Sequence, residues 1–228
     1  MSVEKYHTPI LVTGIERSGS SIIGQIIGLC GAFAGKVTPM QENIGIKKVM
    51  DRFYSKIGAD IKGQYPLPDL GKLSIPVNWE KSVKDCLLAE GYIDTNLWMY
   101  KSNRIAQIWP VWAHAYPDAK WIIVRRRTGD VVESCLKTGF MTAYEDSIVK
   151  QLIGVETDRE GWLWWVHEHE KMFVSMIESG LNCKVIWPER TLTGDFRQIY
   201  EMLDWLGLPW NKGVLDILES KLIKNQKV

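Results

Sequence analysis

The sequence predicts an α/β fold in which a central parallel sheet of about four to five strands is covered by helices on both faces. Short apolar segments rich in β-branched residues alternate along the chain with segments of helical periodicity, which is the pattern of a parallel sheet. The first of these strands runs into a glycine-containing loop and then into a helix. A length of 228 residues with 46% hydrophobic residues suffices for one domain, so we expect residues 1–228 to form a single domain.

Four segments have the composition of buried strands, and they are residues 9–14, 97–101, 120–124 and 183–187. Helical segments lie between and after them, at residues 20–30, 42–57, 79–89, 104–116, 128–137, 158–179, 195–206 and 214–223. Three prolines within residues 59–76 predict a loop or lid there. Because ligands bind beyond the carboxyl ends of parallel strands, we expect the functional site just after residues 14, 101 and 124.

The composition excludes several classes of protein. Lys and Arg number 28 and Asp and Glu number 27, so a net charge of +1 gives no support for a partner that is a nucleic acid or a membrane surface. The four cysteines are widely spaced, which favours free thiols over disulfides or a zinc site, and we expect no metal. Without a signal peptide in the first residues or an apolar run of about 20 residues, we expect a soluble, cytoplasmic protein of undetermined oligomeric state.

The loop after the first strand predicts an anion-binding site. Gly14 and Gly19 have the spacing of a P-loop, in which backbone N–H groups and a helix N-terminus bind phosphate. Ser20 and Ser21 stand where an ATP-binding loop has Lys and Ser or Thr, and the cation comes earlier, at Arg17. The loop therefore indicates phosphate binding without the lysine and without a metal ligand. The alternative is an ordinary turn in which Ser18 or Ser20 caps the helix.

A second basic segment follows the third strand. Residues 125–127 are three successive arginines, and guanidinium groups bind phosphate through two oxygens at once. Ser134 lies one turn into the following helix and adds a hydroxyl. The alternative is a basic surface turn whose arginines pair with nearby carboxylates. Two anion sites at one edge of a sheet suit a ligand with phosphate groups at two places, such as a nucleotide with a 5′ tail and a separate 3′-phosphate.

These motifs resemble those of the sulfotransferases that use 3′-phosphoadenosine 5′-phosphosulfate (PAPS). Residues 17–21 (RSGSS) are similar to the 5′-phosphosulfate loop of that family, and residues 126–134 are similar to its 3′-phosphate motif, in which Ser follows Arg by eight positions. Residues 116–120 (YPDAK), 185–189 and 205–209 (WLGLP) resemble further segments of the family in the same order. The resemblance covers about residues 9 to 210 and implies a P-loop-like three-layer α/β fold.

The resemblance implies transfer of a sulfuryl group from PAPS, as co-substrate, to a hydroxyl or amine of a small-molecule or carbohydrate acceptor, leaving adenosine 3′,5′-bisphosphate. The residues that it assigns to the 5′-phosphosulfate are Arg17, Ser18, Gly19, Ser20 and Ser21. It assigns Arg126 and Ser134 to the 3′-phosphate. It requires no metal, in agreement with the missing lysine of the loop.

The catalytic residues match the family less closely. Lys101, at the end of the second strand, and Arg17 can stabilise negative charge on the leaving group. Many cytosolic members have a histidine two residues after this lysine, but here that residue is Asn103, which cannot act as a base. Other members use a glutamate near the start of the next helix, and Glu42 stands in such a place. The alternative for Glu42 is an acidic residue in the first helical turn, favoured by the helix dipole.

Two other functions remain open at this point. A P-loop nucleotide or nucleoside kinase is disfavoured by the serine in place of the lysine, and a non-catalytic nucleotide-binding module is favoured by Asn103.

The 11 tryptophans give one more hint, because Trp162, Trp164 and Trp165 lie together in the helix predicted at residues 158–179. We expect part of that cluster to flank the acceptor pocket, where indole rings stack on a flat or sugar-like substrate.

Overall fold

Four parallel strands form the centre of the structure in the order β2-β1-β3-β4. They are β1 (Ile10–Gly14), β2 (Met99–Lys101), β3 (Lys120–Val124) and β4 (Cys183–Ile186). The structure is a computed structural model that describes residues 8–93, 97–191 and 193–225. The predicted all-parallel sheet with surrounding helices is confirmed, and it has four strands within these ranges. The expectation about a signal peptide falls mostly on residues 1–7, which lie outside the described residues.

The register of the sheet places the ends of β1 and β3 beside each other. Ile10 is opposite Lys120 and Gly14 is opposite Val124, and β1 also pairs with β2 from Ile10 to Val12. Successive side chains of a strand point to opposite faces of a sheet, so each strand contributes to two hydrophobic clusters. Because β1 and β3 end in register, the loops that follow them begin at the same edge.

Helices cover both faces of this sheet. The first cluster contains Leu11, Trp121 and Ile123 from the strands and packs against five helices, which are α2 (Ile44–Lys56), α3 (Trp79–Ala89), α4 (Trp109–Ala115), α5 (Thr128–Leu136) and α7 (Asp158–Glu178). The second contains Ile122 and Val124 from β3 and packs against three, which are α1 (Ser20–Leu29), α9 (Arg197–Leu206) and α10 (Gly213–Asn225). None of the helices in the described part of the chain combines the length and the apolar character that a membrane crossing requires.

Some predicted helices have different bounds. The segment predicted as a helix at residues 104–116 is a 3-10 helix (Asn103–Ile108) followed by α4, because Pro110 lacks an N–H group and is accommodated in the first turn of a new helix. Helix α2 begins at Ile44, since the Asn43 side chain accepts a hydrogen bond from the Ile46 N–H and caps the helix. Two short helices were not predicted, and they are α6 (Ser147–Ile153) and α8 (Pro188–Thr191).

The proline-rich segment at residues 59–76 contains one 3-10 turn, Leu70–Lys72, and is otherwise irregular. Its first part is held against the rest of the protein by side chains that donate hydrogen bonds to its main-chain carbonyl groups. The Gly63 carbonyl accepts from Trp165 Nε1 at 3.0 Å and from Gln107 Nε2 at 2.7 Å. The Ile61 carbonyl accepts from Arg104 Nη1 at 2.7 Å. Residues 61–64 are therefore a fixed wall beside the carboxyl edge of the sheet.

Candidate functional site

A cavity of about 710 Å³ opens beyond the carboxyl ends of β1 and β2. Its lining comes from the loop after β1, the segment before α2, the residues that follow β2, and the wall at residues 61–64. The predicted site residues that line it are Arg17, Gly19, Ser20, Ser21, Glu42 and Lys101. These side chains therefore meet at the carboxyl edge of the sheet, where a parallel topology predicts a ligand site.

Two glycines shape the loop between β1 and α1. A Cβ on Gly14 would lie 2.5 Å from the Val124 carbonyl oxygen and 2.8 Å from Ser18 Oγ, so only glycine fits between these groups. Gly19 adopts φ of 91° as the N-cap of α1, and no side chain caps that helix. Ser18 Oγ is buried and has no hydrogen-bond partner among the described residues. The alternative in which Ser18 or Ser20 caps α1 is wrong, and the loop keeps unused donors.

Backbone strain is concentrated next to the cavity. Within the described residues, the non-glycine residues with positive φ are Arg17, at 70°, and Gln41, at 63°. Each such residue costs roughly 1 kcal/mol or more, and such strain accumulates at functional sites. The two residues belong to the loop after β1 and to the segment just before α2, and both segments contribute to the cavity lining.

A chain of contacts joins the loop after β1 to the segment after β3. Arg17 Nε donates a hydrogen bond to Ser134 Oγ at 2.8 Å, although the two residues are 117 positions apart. Arg126 Nη1 in turn donates to the Arg17 carbonyl at 3.0 Å. The two segments that the sequence assigned to separate phosphate groups are therefore in direct contact.

Each of the three arginines after β3 lies near a carboxylate. Arg125 pairs with Glu170 at 2.5 Å and lies over the Trp187 ring, while Arg126 and Arg127 are 3.8 Å and 3.6 Å from Glu189. The pairing of Arg125 with Glu170 agrees with the alternative interpretation, in which the arginines of this segment pair with nearby carboxylates. Arg126 differs, because it also contacts the loop after β1.

A second groove, of about 620 Å³, begins beside Arg126 and Arg127. Trp187, Arg190 and Thr193 form its other side. The sequence analysis did not select these three residues. Trp187 could have been predicted from its position at the carboxyl end of β4, because this is the same edge of the sheet at which the other predicted residues lie.

The serines of the loop make contacts with two neighbouring segments. Ser20 Oγ donates to Asn103 Oδ1 at 2.8 Å, and Ser21 Oγ donates to the Met40 carbonyl at 3.1 Å. Asn103 is buried, and its carbonyl accepts from Thr13 Oγ1 at 3.2 Å. Asn103 therefore positions the start of α1 against the segment after β2.

Glu42 and Lys101 line the same cavity as Arg17. Glu42 precedes the N-cap of α2, so the alternative of an acidic residue in the first helical turn is wrong. Its Oε1 accepts from Ser102 Oγ at 2.7 Å, which fixes the carboxylate in place. Lys101 is only 3% exposed, and its burial lowers the pKa of its ammonium group, although the charges of Glu42 and Glu16 act in the opposite direction.

The aromatic helix does not contribute its indoles to this cavity. Trp162 and Trp165 are buried in the first hydrophobic cluster, and Trp164 packs against Tyr65 and Tyr144. Trp165 acts on the cavity only through its hydrogen bond to the Gly63 carbonyl in the wall. None of the three tryptophans is part of the lining of this cavity, and the expectation that they flank the acceptor pocket stays a prediction.

Comparison with known proteins identifies the fold. The sulfotransferase domain from the curacin biosynthetic pathway matches with a TM-score of 0.62 at 14% identity, over 92% of this chain and 77% of that one. Sulfotransferase STF9 from Mycobacterium avium matches with a TM-score of 0.58 at 11% identity, over 96% and 68%. The sulfotransferase domain of the olefin synthase of Synechococcus PCC 7002 matches with a TM-score of 0.54 at 16% identity, over 93% and 78%.

The chain therefore has the fold of the sulfotransferases, an α/β fold with a central parallel sheet. No protein-family profile matches the chain, and no curated protein matches its sequence. At these identities the likeness concerns the fold alone, so the activity has to be argued from the residues of the cavity.

Proposed function

We propose that this protein transfers a sulfuryl group from PAPS to a hydroxyl or amine of an acceptor. The observation that carries the proposal is the contact between the two predicted phosphate segments, from Arg126 through the Arg17 carbonyl to Arg17 Nε and Ser134 Oγ. A nucleotide with a 5′-phosphosulfate and a 3′-phosphate needs two anion sites close together, and the proposal is supported by the register of β1 and β3, which brings the loops after these two strands to the same edge.

The loop after β1 fits the 5′ end of such a nucleotide. It offers the uncapped N-terminus of α1, the unpaired Ser18 hydroxyl and the charge of Arg17. The residues that would hold the 5′-phosphosulfate are Arg17, Ser18, Gly19, Ser20 and Ser21. Arg126 and Ser134 would hold the 3′-phosphate, and the groove beside Trp187 is wide enough for the nucleoside. The ATP-type alternative lacks its lysine here.

PAPS supplies an activated sulfuryl group, and this chain supplies the charges and the base around it. Lys101 and Arg17 face the same cavity and would stabilise negative charge on the leaving phosphate. Glu42 is held by Ser102 at the cavity wall and would accept the proton of the acceptor. The part of the cavity beyond them is lined by Ile61 and Phe140, and it would receive a small molecule or a carbohydrate.

Ligand binding gives the first test. Thermal denaturation should show clear stabilisation by adenosine 3′,5′-bisphosphate, by about 2.7 kcal/mol at one hundred times its Kd, and little by Mg²⁺-ATP. Arg126→Ala should weaken bisphosphate binding by about 10- to 100-fold, because a charge-assisted hydrogen bond contributes about 1.5–3 kcal/mol. The matched control is Arg197→Ala, because this side chain is 83% exposed, pairs with Asp195 and is not part of the lining of either the cavity or the groove, so the affinity should change little.

Stabilisation by Mg²⁺-ATP alone would contradict the proposal and support a nucleotide kinase. Equal effects of the two arginine substitutions would show that Arg126 is not a specific phosphate ligand. Incubation with labelled PAPS and a panel of hydroxyl and amine acceptors then separates a transferase from a non-catalytic binding module. In that assay Glu42→Gln should abolish transfer and leave bisphosphate binding intact.

A further inference from the structure

Glu16 is a carboxylic acid that the sequence analysis did not assign to any role. It lies in the loop after β1, immediately before Arg17, and it lines the same cavity. Its Oε2 is shielded from solvent and has no hydrogen-bond partner among the described residues. A shielded carboxylate oxygen without a donor costs free energy of folding, so the position is unfavourable unless the group carries a proton or meets a ligand.

The charged and titratable groups around Glu16 come from several elements. Lys101 is the last residue of β2, Arg104 lies in the 3-10 helix that follows β2, and Glu42 precedes α2. Tyr54 of α2 and Cys135 of α5 also interact electrostatically with Glu16. Burial raises the pKa of Glu16 to about 8 and Glu42 adds to this, while a hydrogen bond within Glu16 and the charges of Lys101 and Arg104 lower it. At neutral pH, Glu16 is therefore mostly protonated.

We infer that Glu16 acts as a neutral carboxylic acid that donates a hydrogen bond to the 5′-phosphate of the nucleotide and passes its proton to that phosphate during transfer. The inference rests on the proposed function. It follows from the position of Glu16 inside the phosphate-binding loop, from the unpartnered Oε2 and from the neighbouring Lys101, which faces the same cavity. No other residue of this loop has a side chain that is both acidic and shielded.

The proton and electron balance assigns opposite roles to the two carboxyl groups. The acceptor oxygen or nitrogen forms a bond to sulfur, and its proton passes to Glu42. The bond between sulfur and the 5′-phosphate oxygen breaks, its electron pair stays on that oxygen, and the Glu16 proton moves there. Solvent then removes the proton from Glu42 and returns one to Glu16. Two carboxyl groups whose environments differ are a common acid and base pair in enzymes.

The inference predicts how nucleotide affinity depends on pH. Protonated Glu16 is neutral and donates to the phosphate, whereas ionised Glu16 repels it. Binding of adenosine 3′,5′-bisphosphate should therefore weaken as the pH rises through the pKa of about 8. If the protonated form is the one that binds, linkage gives an affinity about tenfold weaker at about pH 9 than at about pH 7.

Calorimetric titration of adenosine 3′,5′-bisphosphate between about pH 7 and pH 9 tests this. Glu16→Gln keeps a neutral hydrogen-bond donor, so its affinity at neutral pH should stay within about threefold of the wild type and should not fall up to pH 9. Glu16→Ala should lose the pH dependence and also bind more weakly at neutral pH. Glu42→Gln removes the other carboxylate of the cavity and should retain the pH dependence.

The outcomes separate the two proposals. If the wild-type protein does not bind the bisphosphate at any pH, the proposed function fails. If it binds without a pH dependence, the role of Glu16 is overturned. If the affinity of Glu16→Gln falls with pH as that of the wild type does, the role of Glu16 is also overturned and another group, such as Lys101, causes the titration. The inference is supported if the affinity of the wild type falls with rising pH, Glu16→Gln abolishes this fall and Glu42→Gln retains it.

Discussion

His169 shows at the residue scale how a titratable side chain is used for structure. It is fully buried in α7, and its Nδ1 lies 2.8 Å from the Trp165 carbonyl. Because a carbonyl can only accept, Nδ1 carries the proton, and Nε2 accepts from Gln107 Nε2 at 2.9 Å. Gln107 also donates to the Gly63 carbonyl, so this neutral imidazole supports the residue that holds the cavity wall. Burial lowers the pKa of His169 to about 4.

This pKa predicts a loss of stability in mild acid. The unfolded chain protonates this histidine near pH 6.5, whereas the folded protein resists protonation down to about pH 4. The unfolded state therefore binds more protons in that interval, and the free energy of unfolding should fall by up to about 3 kcal/mol as the pH drops through it. Chemical denaturation of the wild type and His169→Gln measures the effect. A wild-type slope no steeper than that of the variant would refute it.

Helix α7 connects the hydrophobic core to the cavity at the element scale. It begins with a capping box, in which Thr157 and Glu160 satisfy each other's main-chain N–H groups. One turn later, the helix packs so closely on Tyr144 that a Cβ on Gly161 would lie 2.6 Å from the Tyr144 Cβ. Trp165 then reaches the wall at Gly63. The helix thus acts as the rigid support of the cavity wall.

Two glycine substitutions test this contact. Gly161→Ala should destabilise the protein by about 1–3 kcal/mol, since the added methyl group overlaps Tyr144. Gly28→Ala in α1 is the matched control, because nothing lies within 4 Å of its added Cβ and alanine is the better helix former by up to about 1 kcal/mol. Thermal melts should move in opposite directions. Equal shifts in one direction would contradict the packing of α7 described above.

The two hydrophobic clusters share their strands at the scale of the whole molecule. Side chains of β1 and β3 alternate between the clusters, so neither cluster can come apart without disturbing the same sheet. Within the described residues, indoles are concentrated in the first cluster, and Trp205 and Trp210 are the ones that pack against the second. Tryptophan fluorescence therefore reports mainly on one side of the sheet.

We expect the described chain to unfold as one cooperative unit. Ile199→Ala removes a fully buried side chain of the second cluster and should cost about 2–5 kcal/mol. Its unfolding transition should shift equally by tryptophan fluorescence and by circular dichroism, although the substitution is remote from most indoles. Ile148→Ala, at a side chain 65% exposed, should change stability by less than about 0.5 kcal/mol. Two separate transitions would show that the chain divides into independent parts.

The sequence predicted the sheet well, because its strands are short apolar runs whose composition is distinctive without any tertiary context. It also placed the loop after β1 and the segment after β3 at one edge of the sheet, since strand ends and glycine spacing are local features. It did not reveal Glu16, because the groups that interact electrostatically with that carboxyl group belong to β2, α2 and α5, which are distant in the chain. It did not reveal the hydrogen bond from Trp165 to the Gly63 carbonyl, since periodicity gives the faces of a helix but not what lies against each face.

The hydrogen bond between Arg17 and Ser134 links two of the side chains that we propose to bind the nucleotide. Both side chains are recruited by the proposed nucleotide, so binding must exchange a protein–protein hydrogen bond for contacts with the ligand. Breaking the hydrogen bond lowers the affinity for the ligand. The same bond keeps the two flexible side chains in place before the ligand arrives, which reduces the entropy lost on binding. Under the proposed function, a ligand that engages only one of the two side chains would bear the whole cost of breaking this hydrogen bond, so the Arg17–Ser134 contact would disfavour nucleotides that carry a single phosphate group.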